Sequence, residues 1–420
     1  MWNKEKRVMA TNSNQRNAAG KNKMTAKQRE AKKRLKIIIF AVEIVILLAM
    51  VWVLCWLFWP APDDAQTSQD AQSTEAQGEG EKSLFGGLFS WLETGGVFSN
   101  KGPKRVELEE EKLAIPEEVI QQKEEGGTMQ GYMNIALFGV DAQKDSQLYK
   151  GSRSDSIMIA SVNMDTGDIK LVSVYRDTYM NIGTDEYSKC NKAYAVGGAE
   201  QAVKMLNMNL DMDITDFVTV GYAGLREVID GLGGVYIEVD EEELKHINNY
   251  QIGIAEVLKC DYKAVTEPGL QLLDGLQATA YCRIRYTAGD DFKRAARQRE
   301  VIKAIETQAK KADYATLTKV FNSAIDDVYT SISNDDILAL LENIANYRIV
   351  DEGGFPEESM RTVANVGATG SCVIPTDLED NVVWLHQFLF EDEAYTVTNS
   401  VQEYSQKVET DTTPYIERLN

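Results

Sequence analysis

Ile37 to Trp59 is an unbroken apolar run of 23 residues whose one charged side chain is Glu43. As a helix rising about 1.5 Å per residue it outreaches a hydrocarbon core of about 30 Å, so the rest of the chain must be organised on the two sides of a membrane. The run is longer than the apolar region of a cleaved leader, and Pro60 and Ala61 make a poor cleavage site, so it reads as a permanent transmembrane helix. Trp52, Trp56 and Trp59 gather at its outer end as an interfacial belt. Glu43 lies under two turns from the inner end, close enough to extend its carboxylate to the headgroups.

Charge then sets the orientation. Residues 1–36 hold 12 basic and 2 acidic residues and little that can form a core, which describes a basic, disordered cytoplasmic tail. The chain's formal charge is -21, so a tail of +10 leaves -31 for everything after it. The positive-inside rule places the N-terminus in the cytoplasm and the chain from Pro60 onward outside, a single-pass protein of the cell membrane. An acidic outer domain argues against nucleic acid as partner, which would demand a broad basic surface. With His246 and His386 as the only histidines and no CxxC, histidine-based metal centres, Ser-His-Asp catalysis and zinc knuckles lack their parts. Cys190, Cys260, Cys282 and Cys372 lie outside the span, where up to two disulfides are permitted. Cys190 and Cys282 flank the candidate site, and a bridge between them is weighed against the simpler reading of small buried residues.

Residues 60–130 are rich in Asp, Glu, Gln, Ser and Gly and read as an acidic flexible stalk, interrupted by an apolar patch at Ser83 to Phe98. Order is expected from residue 131 to about 405, with 406–420 a C-terminal tail. Three strands open it: Met133 to Asp141, the later part of Ser152 to Asn163, and Ile169 to Thr178. They end or begin with Asp141, with Arg153 and Asp155, and with Arg176 and Asp177, which is how a site is assembled at one edge of a sheet. A Gly-Gly turn, a helix (Ala199 to Asn207), a strand (Phe217 to Tyr222), a further helix and LGGVYIEVD (Leu232 to Asp240) follow. Asp240 to Ala264 reads as a polar excursion, and Gly269 to Gly275 as the opening of a short helix. Helical patterns at Tyr314 to Val328, Asn334 to Ala345 and Leu378 to Phe390, a Gly-rich link at Asp351 to Gly354 and a strand at Cys372 to Pro375 complete the chain. Strands and helices alternate, and the short strand-to-strand links predict an α/β fold on a central mixed sheet.

The local charge reverses at Tyr281 to Arg299, YCRIRYTAGDDFKRAARQR, where Arg283, Arg285, Lys293, Arg294, Arg297 and Arg299 face only Asp290 and Asp291. The first half alternates like a strand, which would send Arg283 and Arg285 from one face about 7 Å apart. After a turn at Ala288 to Asp290 the pattern becomes helical, with Arg294, Arg297 and Gln298 in the first turns, where the helix dipole also favours an anion. Arginine forks suit phosphate oxygens, and the guest this predicts is a phosphate or pyrophosphate.

In order, the segments NIALFGVD, RSDSIMIASVN, LVSVYRDT, KCNKAYAVGG, VIDGLGGV, LLDGLQATAYCRIRY and DDFKRAARQR closely resemble the LytR-CpsA-Psr family of membrane-anchored cell-wall enzymes, most strongly over 132–305. The resemblance implies an α/β/α domain with a tunnel for a lipid tail. It also implies a Mg2+-dependent phosphotransferase of a Gram-positive type envelope, which moves a teichoic acid or capsular polysaccharide from a polyprenyl pyrophosphate carrier to peptidoglycan. Carried over by motif, Asp141 and Asp155 would hold the metal. Arg153, Arg176, Arg283, Arg285, Arg294 and Gln298 would bind the pyrophosphate, with Asp291 orienting arginines. Asp155 and Asp177 are the candidate general bases. Tyr175 departs from the pattern, standing where the family commonly has proline before the Arg-Asp pair. Two other readings share these residues: a non-catalytic envelope regulator, and a lipid pyrophosphatase that uses water as acceptor.

Overall fold

The computed structural model describes residues 104–141, 148–285 and 290–419. The expected cytoplasmic tail, the apolar span, the apolar patch at Ser83 to Phe98 and the turn at Ala288 and Gly289 lie outside the described residues. Among the described residues no helix is long and apolar enough to cross a membrane.

In chain order the elements are β1 (Lys104–Arg105), α1 (Glu117–Glu124), β2 (Tyr132–Val140), β3 (Ser154–Asn163), β4 (Asp168–Val174), β5 (Tyr179–Asn181), β6 (Tyr187–Lys189), α2 (Lys192–Leu210), β7 (Asp216–Val220), α3 (Tyr222–Gly231), β8 (Val235–Val239) and α4 (Glu241–Leu258). They continue with β9 (Gly269–Leu273), α5 (Gly275–Tyr281), α6 (Asp290–Ala309), α7 (Tyr314–Ala324), β10 (Val328–Thr330), α8 (Asn334–Glu342), β11 (Arg348–Phe355), β12 (Arg361–Val366), β13 (Gly370–Pro375), α9 (Leu378–Phe390) and α10 (Asn399–Ile416).

Seven strands form one mixed sheet in the order β1-β10-β7-β2-β3-β4-β11. β3 runs antiparallel to both β2 and β4, whereas β7 is parallel to β2 and β11 parallel to β4. Period-two alternation gives the central strands two different faces. Phe138 of β2 and Ile157 and Ile159 of β3 join the main core, built with Ala202 and Leu206 of α2 and Leu385 and Leu389 of α9. Leu137, Gly139 and Met158, between them in sequence, face the other way, toward α3 and α6. A second cluster closes that side, where Val235 and Ile237 of the β8-β9 pair meet Ile247 and Ile254 of α4 and Tyr281 and Ile284. The result is helix, sheet and helix in three layers, as expected.

Several boundaries differ from the sequence reading. Folded structure starts inside the expected stalk: Leu113 and Val119 are fully buried, and the Asn207 amide donates to the Leu113 carbonyl at 3.1 Å. The expected C-terminal tail is most of α10, whose Val408 is buried against Tyr179 and Ile374. The polar excursion is α4, started by a capping box in which the Asp240 carboxylate accepts from the Glu243 backbone N–H at 2.7 Å. Gly269 to Leu273 pairs with β8 and is a strand; the Gly-rich link at Asp351 to Gly354 is part of edge strand β11. The Gly197-Gly198 pair sits within α2, where Gly198 takes a φ of 72° at a kink.

Candidate active site

The expected arginine strand is not a strand. Asp274 caps α5, accepting from the Gln277 N–H at 2.8 Å while the Gln277 amide oxygen accepts from the Asp274 N–H at 2.9 Å. The helix reaches Tyr281 and continues as a turn, the Arg283 N–H donating to the Ala280 carbonyl at 3.0 Å. Among the described residues no strand pairs with Cys282 to Arg285 to reward an extended form, and the capped helix, with Leu276, Ala278, Ala280 and Tyr281 buried, wins. Arg283 and Arg285 still face the same space.

That space is a cavity of about 570 Å³ between the sheet and the α3-α6 layer. Its walls are aliphatic: Leu137 and Met158 from the sheet, Val218 and Val220 from β7, Leu225 and Val228 from α3, and Val301, Ile302 and Ile305 from α6. Its polar lining is confined to Asp141, Asp155, Arg283, Arg285, Arg294, Gln298 and a few hydroxyls. The strand ends deliver the carboxylates, Asp141 just past β2 and Asp155 at the start of β3, and α6 delivers Arg294 and Gln298 one turn apart.

The charges form a lattice. Asp155 lies 2.7 Å from Arg176, 3.6 Å from Arg285 and 3.9 Å from Arg294. Asp291 lies 3.3 Å from Arg176, 3.6 Å from Arg285 and 3.1 Å from Arg294. Arg294 also donates to the Asp155 backbone carbonyl. Burial opposes ionisation of Asp155, but Arg294, Arg176 and Arg285 outweigh it and hold the carboxyl below the usual range. Burial and the neighbouring cations Arg176 and Arg285 lower the Arg294 pKa, against the pull of Asp155 and Asp291. An anion bound here would relieve that crowding.

Arg283 stands apart from this lattice. Its guanidinium carbon lies 4.7 Å from the Tyr222 ring centroid and 5.7 Å from that of Tyr250, and its Nη2 is 3.8 Å from Asp141. Sequence reasoning missed both tyrosines, although Tyr222 was legible as the residue ending a strand on the site's edge. Its hydroxyl is buried with no hydrogen-bond partner among the described residues, and burial raises its pKa.

Other expected residues divide. Arg153 is exposed and is not among the cavity-lining residues. Arg297 turns away to Glu243 at 2.7 Å and the Ile284 carbonyl at 3.3 Å, tying α6 to α4. Arg299 donates to Ser173 of β4 at 2.8 Å, where α6 faces the sheet, outside the cavity lining. Asp177 meets Lys189 at 3.4 Å and Arg176 at 3.8 Å, beside a small cleft on the far side of Asp155. Cys190, Cys260, Cys282 and Cys372 are all free thiols; Cys190 is buried, donating to the Tyr175 and Arg176 carbonyls, both at 3.2 Å.

Among the described residues no group of three His, Cys, Asp or Glu side chains is placed to hold a metal. Asp141 and Asp155, two hard oxygen donors on one cavity lining, fit an ion such as Mg2+ that takes one or two carboxylates and completes its shell with substrate phosphates and water.

A profile of the LytR_cpsA_psr family matches residues 100–367. The chain belongs to this family. Among its relatives are polyisoprenyl-teichoic acid–peptidoglycan teichoic acid transferases TagU. That of Enterococcus faecalis is 31% identical over 207 residues, covering 49% of this chain and 63% of the relative; that of Halalkalibacterium halodurans is 31% identical over 220 residues, covering 51% and 65%. The chain thus spans less than two thirds of the length of these curated relatives. A crystal structure from Enterococcus faecalis, titled as a transcriptional regulator, superposes with a TM-score of 0.51 at 21% identity, covering 69% of this chain and 97% of that one. At that identity it supports the LytR-CpsA-Psr fold alone.

Proposed function

We propose that this chain is a transferase that takes an anionic glycopolymer from a polyprenyl pyrophosphate carrier and joins it through phosphate to a peptidoglycan hydroxyl. The observation that carries the reading is the continuity of an aliphatic cavity of about 570 Å³ with arginines and carboxylates on a single lining. A lipid tail and a pyrophosphate head are the chemistry such a lining matches, and the transferase names of the TagU relatives agree. The apolar run at Ile37 to Trp59 would keep the domain beside the carrier's membrane.

In this reading Arg283, packed between Tyr222 and Tyr250, and Arg285 grip the pyrophosphate, while Arg294 and Arg176 face the charge that develops in the transition state. The acceptor hydroxyl oxygen bonds to the polymer-bearing phosphorus. The bond from that phosphorus to the bridging oxygen breaks, and polyprenyl phosphate leaves with the electron pair. A carboxylate must take the hydroxyl proton. Asp155, taken up by three arginines at once, is assigned to charge and orientation, and Asp177, which lines the small cleft beside it, to the proton. Mg2+ held by Asp141 and Asp155 would supply further neutralisation of phosphate charge.

The test is acceptor dependence. Full-length protein in nanodiscs, given a lipid-linked polymer and Mg2+, is expected to form polymer–peptidoglycan adduct only when peptidoglycan oligomers are present. Release of free polymer phosphate at the same rate without acceptor would make it a pyrophosphatase instead.

A further inference from the structure

Behind the arginine lattice, outside the cavity lining, Arg361 at the start of β12 packs its guanidinium against two aromatic rings that also touch each other. Its central carbon lies 4.0 Å from the Phe292 centroid and 4.8 Å from that of Tyr175, and the rings meet edge to face at 4.7 Å and 86°. Its Nη1 donates to the Tyr175 hydroxyl at 3.1 Å and to the Pro356 carbonyl at 3.0 Å. Ala295 and Val373 close the cluster. The Tyr175 ring lies so close to edge strand β11 that a Cβ on Gly354 would sit 2.0 Å from its hydroxyl, so any larger residue there would displace the ring.

The significance lies in the chain neighbours of the two rings. Tyr175 precedes Arg176 and Phe292 follows Asp291, and Arg176 Nε donates to Asp291 at 3.3 Å. We propose that the Arg361 clamp is a positioning device, fixing Tyr175 and Phe292 so that Arg176 and Asp291 meet in one geometry at the phosphate-facing lattice. A proline before Arg176 would stiffen the backbone by locking φ. Tyr175 gives no such stiffness, and a cation packed against both rings of an edge-to-face pair supplies it through the side chain. The effect on transfer rests on the transferase reading above; the effect on Arg176 geometry does not.

The experiment uses the full-length protein in detergent and compares wild type with Arg361→Gln, Arg361→Lys and Phe292→Leu. Two readouts are taken: glycopolymer transfer, and arginine-selective labelling by phenylglyoxal read by peptide mass spectrometry. With the clamp broken, Arg176 is expected to label several-fold faster while buried Arg299 labels as in wild type. The kcat should fall on the order of ten-fold or more with KM for the lipid donor little changed, as expected for misplacement of a group acting in the transition state. Arg361→Lys, which keeps a cation over the rings, should recover part of both. Equal acceleration at Arg299 in all three variants would mean a merely structural role, and unchanged Arg176 labelling would also overturn the clamp. Should wild type transfer nothing, the transferase reading fails, and the labelling still decides whether Arg361 positions Arg176.

Discussion

Asp155 and Asp291 hold the same three guanidiniums, those of Arg176, Arg285 and Arg294, although one opens a strand and the other the first turn of a helix. Each carboxylate alone would leave the three cations splayed. Together they present them as one preorganised surface.

Asp177→Asn and Asp155→Asn should therefore separate. Losing a general base costs roughly 10²- to 10⁴-fold in rate, so Asp177→Asn should leave lipid retention unchanged while transfer falls by that order. Asp155→Asn removes one anchor of all three arginines and should weaken lipid retention and transfer together. Copurified lipid per protein and initial transfer rate, measured on both variants, check this; unchanged turnover in Asp177→Asn would remove Asp177 from the proton step.

The cavity can be filled from inside. Val218 lines its wall from β7, and Val218→Trp should place an indole where the lipid tail would lie. If the space is hollow, the melting temperature holds and copurified lipid disappears. Were the wall part of a solid core, the same change would overpack it and cost about 1–3 kcal/mol of stability.

Acid sensitivity should trace to His386. The ring is buried, stacked on Tyr395 at a centroid distance of 3.6 Å and bonded through Nε2 to the Leu210 carbonyl at 3.0 Å, and burial pulls its pKa down to about 4. The unfolded ring titrates near 6.5. As pH falls the unfolded chain is protonated first, so stability is lost progressively between about pH 6.5 and about 4, by about 3 kcal/mol at full extent. Burial raises the carboxyl pKa of nearby Asp211, which works in the opposite direction, so the comparison with His386→Phe is the decisive one. That variant keeps the stack and loses the titration. Its stability, followed by denaturant melts, should fall less steeply on acidification than that of wild type; parallel curves would contradict the assignment.

Much of this architecture was legible in the sequence because strand ends carry their own marks. Asp141, Asp155 and Arg176 are placed together by three consecutive strands whose alternation is unambiguous, and the sequence alone names them. Arg283 and Arg285 were recognised but on the wrong element, since a short alternating run is indistinguishable from a helix end until the Asp274 capping box is weighed. The resemblance implied a tunnel, but its lining was not legible from the residues: Leu137, Val218 and Ile305 are ordinary core residues by type, and only the spacing of α3 and α6 from the sheet leaves a void between them. Arg361 and Tyr175 lie far apart in sequence, and no local pattern pairs a cation with rings from two other elements.

In the proposed function the aliphatic cavity and its arginines hold one ligand, a polyprenyl pyrophosphate. Its most direct test is native mass spectrometry of the full-length protein purified in mild detergent from a bacterial membrane host, alongside Arg283→Ala and Arg285→Ala. Wild type should carry the mass of a polyprenyl phosphate or pyrophosphate, lost from both variants while their melting temperatures stay near that of wild type. A wild-type protein that carries no such lipid and takes up none from added polyprenyl pyrophosphate would contradict it.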